Sequence, residues 1–264
     1  MSFFHSMISQ PAPISYSVEY QEVLDYATLQ GYALPSDAEN TQYNQAVVDA
    51  VAEGVLDKLD VWWPMLANID FATINFKSPG TYNLGLSANP PTYDPATGFT
   101  GNGTTSYLTT GWIPNNSLIY LQNDASIGYG CLTDVSSGML DFGTASNVSN
   151  FAGIVINPRN ASNNLTSRFN CATAGSKANA NGIGRYHMDR SGSASYDVHK
   201  NGISLGNNAQ ASQGRSTFEL YICGYNLAGT LISPSSRSIQ YLWAGSNLTG
   251  LESTWDTILS NLYA

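Results

Sequence analysis

Charge is what this chain of 264 residues has least of: 11% of its residues are Asp, Glu, Lys or Arg, against about 25% in an ordinary soluble domain. Bases are scarcest in the first 70 residues, where Lys58 stands alone against ten carboxylates and the local net charge is −9. Residues 71–264 carry nine charges of each sign and sum to zero. Without a basic stretch, nothing would displace condensed counterions from nucleic acid or hold the chain to an anionic membrane. No run reaches the roughly 18 apolar residues of a membrane span. The opening MSFFHSMISQPAPIS lacks a basic segment and is interrupted by two prolines, so it does not read as a secretion signal. Cys131, Cys171 and Cys223 are widely spaced, with no CxxC and no neighbouring histidine cluster. That pattern excludes a disulfide framework and predicts free, buried thiols.

Catalytic patterns are missing as well. Glycan-cleaving enzymes on β-sandwiches need two carboxyl groups flanking one bond. Here Glu219 is the only glutamate between residues 71 and 251, and the aspartates of that region are scattered singly. There is no G-x-S-x-G turn to expose a nucleophilic serine. His5, His187 and His199 do not follow metal-ligand spacing. The sequence therefore predicts a protein that is not an enzyme and has no resident metal.

What is present is patterning. Residues 18–30 read as a short helix stopped by Gly31. Ser36 and Glu39 have the spacing of a capping box. After them Tyr43, Val47, Val51, Val55 and Leu59 recur every fourth residue, one apolar stripe on a helix of about 20 residues. The stripe needs a cover, either the chain's own β region or another subunit. Beyond Phe71, short runs such as ATINF, SIGYGCL, GIVINP, RYHMD, YDVHK and SIQYLWAG are rich in β-branched and aromatic residues, separated by Gly, Pro, Asn and Ser. Asn201-Gly202 marks a hairpin, because both central residues of a type I′ turn need positive φ. Spacing of this kind predicts a sandwich. LTGLESTWDTILSNLY returns to helical periodicity, with Thr249 and Glu252 as a second capping pair.

Four pieces in order carry a resemblance: GFTGNGTTSYLTTGW at 98–112, ASIGYGCL at 125–132, YDVHKNGISL at 196–205 and ELYICGYNLAG at 219–229. Together they resemble the concanavalin A-like (laminin-G-like) jelly roll. The expected fold is mainly β, a jelly-roll sandwich over 71–264 with an acidic helical region at 1–70 and a short C-terminal helix. With that acidic start and the phrase FATINFKSPGTYNL, the chain is also similar to appendage proteins of tailed bacteriophages. The resemblance implies a structural virion protein, a head or tail fibre made in the host bacterial cytoplasm. Residues 1–70 would then trimerise it or dock it onto other virion proteins, and the jelly roll would adhere to host-surface glycans. A free bacterial lectin and a glycan depolymerase are the alternatives.

Candidate ligand positions are few. Trp112, at a strand end before Pro114, fits a loop sugar site and a core position equally well. His187 and Asp189 share one strand face, with Arg185 beside them. They form a polar patch that could bind a glycan or simply face solvent. Lectin-type calcium would find oxygen ligands only in NPPTYDPATG and QNDAS.

Overall fold

The computed structural model describes residues 15–147 and 152–264. The reading of the first residues as no secretion signal, and His5 with it, therefore lie outside the described residues. Helix α1 (Val18–Gln30) ends on Gly31 in the left-handed conformation, and α2 (Asp37–Ala52) begins on the Ser36–Glu39 capping box. The expected long helix stops early. After Ala52 the chain makes a 3-10 turn and enters strand β1 (Leu59–Trp63). Tertiary pairing overrides the apparent period here, because Val61 and Trp63 point into one core while Trp62 points into another.

The strands that follow are β2 (Gly85–Leu86), β3 (Thr92–Asp94), β4 (Gly98–Thr100), β5 (Leu108–Thr109), β6 (Ala125–Cys131), β7 (Phe142–Ala145), β8 (Gly153–Asn157) and β9 (Asn164–Cys171). Next come β10 (Gly175–Ala178), β11 (Gly184–Arg190), β12 (Tyr196–Lys200), β13 (Ile203–Asn208), β14 (Tyr221–Ile222), β15 (Tyr225–Leu227), β16 (Thr230–Ile232) and β17 (Ser238–Gly245), before helix α3 (Glu252–Leu262). ATINF is not a strand; Phe71–Thr73 is a 3-10 turn. Asn201 and Gly202 take φ of 52° and 74°, as the hairpin demands. Thr249 does not cap α3, whose N-cap is Leu251. The nearby Glu252 carboxylate instead accepts the Gly250 N–H at 2.7 Å.

Two sheets face each other. The first runs β13-β12-β11-β6-β17-β4-β3, with β1 added beside β17; the second runs β10-β9-β8-β7-β14-β5-β2, with the β15–β16 hairpin attached to β7. Their inner faces enclose one core that includes Tyr129, Phe142, Phe169, Tyr186 and Trp112. At its centre, the fully buried Asp141–Arg237 pair (2.8 Å) is completed by Tyr129, Ser235, Asn157 and backbone carbonyls.

The outer face of the first sheet is covered too. Tyr241, Trp243 and Trp62 project from it into a second core made with α1, α2 and α3. Gly128 makes this close approach workable, since a Cβ there would lie 2.5 Å from the Trp243 ring. Tyr43, Val47, Val55 and Leu59 of the expected apolar stripe are thus buried in a core shared with the chain's own sheet, while Val51 stays exposed.

All three cysteines are free and buried. Burial pushes the thiols of Cys131, Cys171 and Cys223 up from their ordinary range. Since the thiolate is the reactive form, none is expected to react with a disulfide reagent in the native protein. All three should react once it is unfolded in denaturant, as a colorimetric thiol assay would read.

Candidate functional site

The three helices leave the outer face of the second sheet uncovered by helix. That face carries a small apolar cluster of its own, Ala145, Val155 and Tyr225, with Leu140, Leu227 and Ile232 packed at its margin. Tyr225 packs closely on Gly143, which has no side chain; a Cβ there would come within 2.6 Å of the ring. Around it Thr166, Ser167, Arg168 and Ala174 complete a cavity of about 130 Å3. Burial raises the Tyr225 hydroxyl above its ordinary value, and the neighbouring Arg168 guanidinium partly offsets that. Thr166 and Arg168 share this face with the 2% exposed Tyr225 ring, whereas Ser167 between them turns inward, its hydroxyl against that of Tyr196.

A second cavity, of about 320 Å3, opens at the end of the same sheet between Gly111, Glu219, Tyr221 and Asn226. One oxygen of Glu219 is held by the backbone N–H groups of Thr110 (3.1 Å) and Gly111 (2.7 Å). Tyr221 packs on Tyr107 with ring centroids 4.4 Å apart, and its hydroxyl is pushed up to about 12, chiefly by burial. Glu219 is the single carboxylate among the lining residues.

The residues singled out in the sequence lie elsewhere. Trp112 is 1% exposed and sits in the inner core, edge-on to Tyr120 at 5.2 Å, so it offers no ring face to a sugar. His187 and Asp189 do share a strand face, but it is not turned to solvent: they are 7% and 3% exposed beneath the segment that leads into α3. Arg185, on the same face, is engaged by Asp256 of α3 through two hydrogen bonds of 2.8 and 2.9 Å. The histidine spacing was misleading as well. Antiparallel pairing sets His187 directly opposite His199, and Asp189 opposite Asp197. The imidazoles stack at 4.3 Å and 14°. Burial, then the adjacent His187, holds His199 below the usual imidazole range. The signal was present in the sequence: H-x-D at 187–189 and D-x-H at 197–199 are mirror images about Ser193. Sequence reasoning did not single out Tyr225 or Arg168, and it named Glu219 only as an isolated carboxylate.

No protein-family model matches this chain, and no curated protein matches it. Solved structures do. A mutant of Trypanosoma rangeli sialidase displaying trans-sialidase activity superposes with a TM-score of 0.56 at 10% identity, covering 86% of this chain and 40% of that one. The T. rangeli sialidase itself gives 0.51 at 12% identity over 85% and 39%. Its complex with 2,3-difluoro-KDN gives 0.53 at 10% over 84% and 39%. This chain therefore spans about two-fifths of the length of those proteins. At such identities the likeness is one of fold. It corrects two expectations, the structural virion role and the absence of enzymatic function. The first leaned on a resemblance carried by short pieces and the second on missing catalytic patterns, and neither anticipated a fold shared with sialidases. The chain is similar in fold, over most of its own length, to glycan-processing enzymes.

Proposed function

We propose that this chain engages glycans in the service of glycoside processing, with the Tyr225–Arg168 face of the second sheet as its sugar platform. The observation that carries the reading is a cavity on this helix-free face, with the Arg168 guanidinium and the Thr166 hydroxyl at its rim and the 2% exposed Tyr225 ring packed into its floor. A pocket with an apolar floor and a few polar groups at its rim receives a sugar's C–H surface while the rim fixes its hydroxyls. Arg168 further suits an acidic sugar, since a guanidinium can bind a carboxylate through two parallel hydrogen bonds. The T. rangeli sialidase has been solved in complex with sialic acid, a sugar of that chemistry, and an acidic sugar is the substrate class we assign here.

The test is titration calorimetry of the full chain with sialyllactose and with lactose, alongside an assay for sialic acid release. Sialyllactose is expected to bind the more tightly. Arg168→Ala should weaken sialyllactose at least about 10-fold and leave lactose nearly unchanged, because a charge-assisted pair contributes about 1.5–3 kcal/mol. Tyr225→Ala should weaken both. Failure of the chain to bind or cleave either glycan would overturn the proposal.

A further inference from the structure

The face of β11 and β12 under the α3 segment holds the densest set of ligand-type side chains among the described residues. His187, Asp189 and His199 each offer one donor atom, and the three atoms lie within 4.8 Å of one another. His187 Nε2 is 3.0 Å from Asp189 Oδ2, yet the angles do not make a hydrogen bond. Nε2, Oδ2 and His199 Nδ1 are all buried without a hydrogen-bond partner. Three such atoms so close together are costly, because each has given up water without gaining a hydrogen bond.

We propose that His187, Asp189 and His199 bind a divalent transition metal ion of the zinc class. The donor chemistry selects it: two imidazole nitrogens and one carboxylate suit Zn2+ or its neighbours, whereas Ca2+ takes oxygen ligands. The geometry is close to what coordination needs. Bonds of about 2.0–2.1 Å in a tetrahedron set ligands about 3.3 Å apart, near the His187–Asp189 separation already in place. His199 already brings a donor atom within 4.8 Å of the other two.

The surroundings fit as well. Asp189 uses its other oxygen, Oδ1, to accept the Leu248 N–H at 3.1 Å, which fixes the carboxylate's orientation as outer hydrogen bonds do for metal ligands. Asp197 stands directly across from Asp189, and like charges so placed repel. With Glu252, it also bears electrostatically on His199. A cation among these three carboxylates would relieve that repulsion. Since the site joins the β11–β12 hairpin to the Leu248 segment leading into α3, the ion would fasten the C-terminal helix to the sheet.

The experiment is titration of chelator-treated full-length protein with Zn2+ by calorimetry, with Co2+ as the spectroscopic probe. One equivalent of Zn2+ is expected at low-micromolar affinity or better. Co2+ should give the visible absorption of a low-coordinate nitrogen–oxygen site, and Zn2+ should raise the melting temperature, because an ion that binds only the folded state stabilises it by mass action. His199→Gln changes a partially exposed side chain and is expected to fold; it should weaken Zn2+ at least about 10-fold. Asp189→Asn keeps an acceptor for Leu248 and should do the same. The chain has three histidines in all, so histidine binding elsewhere can come only from His5, and a His5→Ala control should be neutral. Failure of the parent protein to bind Zn2+ at about 100 μM would overturn the proposal and leave a plain His–Asp ion pair. Undiminished binding in the His199→Gln variant would overturn it equally.

Discussion

Replacing Arg237 by alanine is expected to cost about 3–5 kcal/mol of folding stability, among the largest single-residue effects in this protein. The guanidinium is completely buried and distributes its donors over the Asp141 carboxylate, Asn157, Ser137 and the carbonyls of Val135, Met139 and Arg159. Deleting it leaves a buried carboxylate that keeps the Tyr129 and Ser235 hydroxyls but loses its cation, together with several carbonyls lacking donors. Neither can be rehydrated without opening the core between the sheets. Urea unfolding followed by tryptophan fluorescence reads the loss as a lower midpoint at unchanged slope. The pair should be strongly non-additive. With the carboxylate removed as well, in Asp141→Leu/Arg237→Met, stability should recover well above that of the single variant, because apolar replacement of both partners leaves no orphaned charge. A double variant no more stable than Arg237→Ala would mean that the carbonyl contacts, rather than the ion pair, set the cost.

That network also shows where sequence reading reaches its limit. Asp141 and Arg237 lie 96 residues apart, and nothing in their local context marks them as partners; only the pairing of sheets brings them together. By contrast, α1 was legible to its bounds, because Gly31 and the apolar spacing are local signals. The same holds for the Ser36 capping box and the Asn201-Gly202 hairpin. Strand β9 was missed because NLTSRFNC alternates polar residues with a few apolar ones and lacks the β-branched density of its neighbours. β1 was mistaken for helix because Val55 and Leu59 extend the four-residue period, whereas Val55 caps a 3-10 turn and Leu59 opens the strand. The candidate sites follow the same division. Tyr225 and Arg168 come from strands distant in sequence, and only the glycine under the ring, Gly143, makes them a platform. The histidine–aspartate square needed cross-strand register, although its mirror symmetry about Ser193 could have been read directly.

Removing residues 1–70 is expected to abolish solubility of the remainder rather than release an independent sandwich. Strand β1 pairs with the far half of β17, from Leu59 opposite Gly245 to Trp63 opposite Leu242. Its loss would bare an unpaired edge in the middle of a sheet, the kind of edge that templates aggregation. The same cut would strip α1, α2 and Trp62 from Trp243, Tyr241 and Trp255. Trp62 alone meets Trp255 at 5.1 Å and Phe76 at 5.6 Å. The exposed aromatic face would far exceed what a soluble monomer tolerates. Two milder variants separate the causes in the full chain. Trp62→Ala should keep the fold but lose about 3–5 kcal/mol. Gly245→Ala should loosen β1 specifically, since a Cβ there collides with the Lys58 backbone. Light scattering on a sizing column, with near-ultraviolet circular dichroism, reads all three. A soluble, well-packed fragment of residues 71–264 would show that the helical layer is an appendage; aggregation together with a destabilised Gly245→Ala chain would make β1 and its helices part of one folding unit with the sandwich.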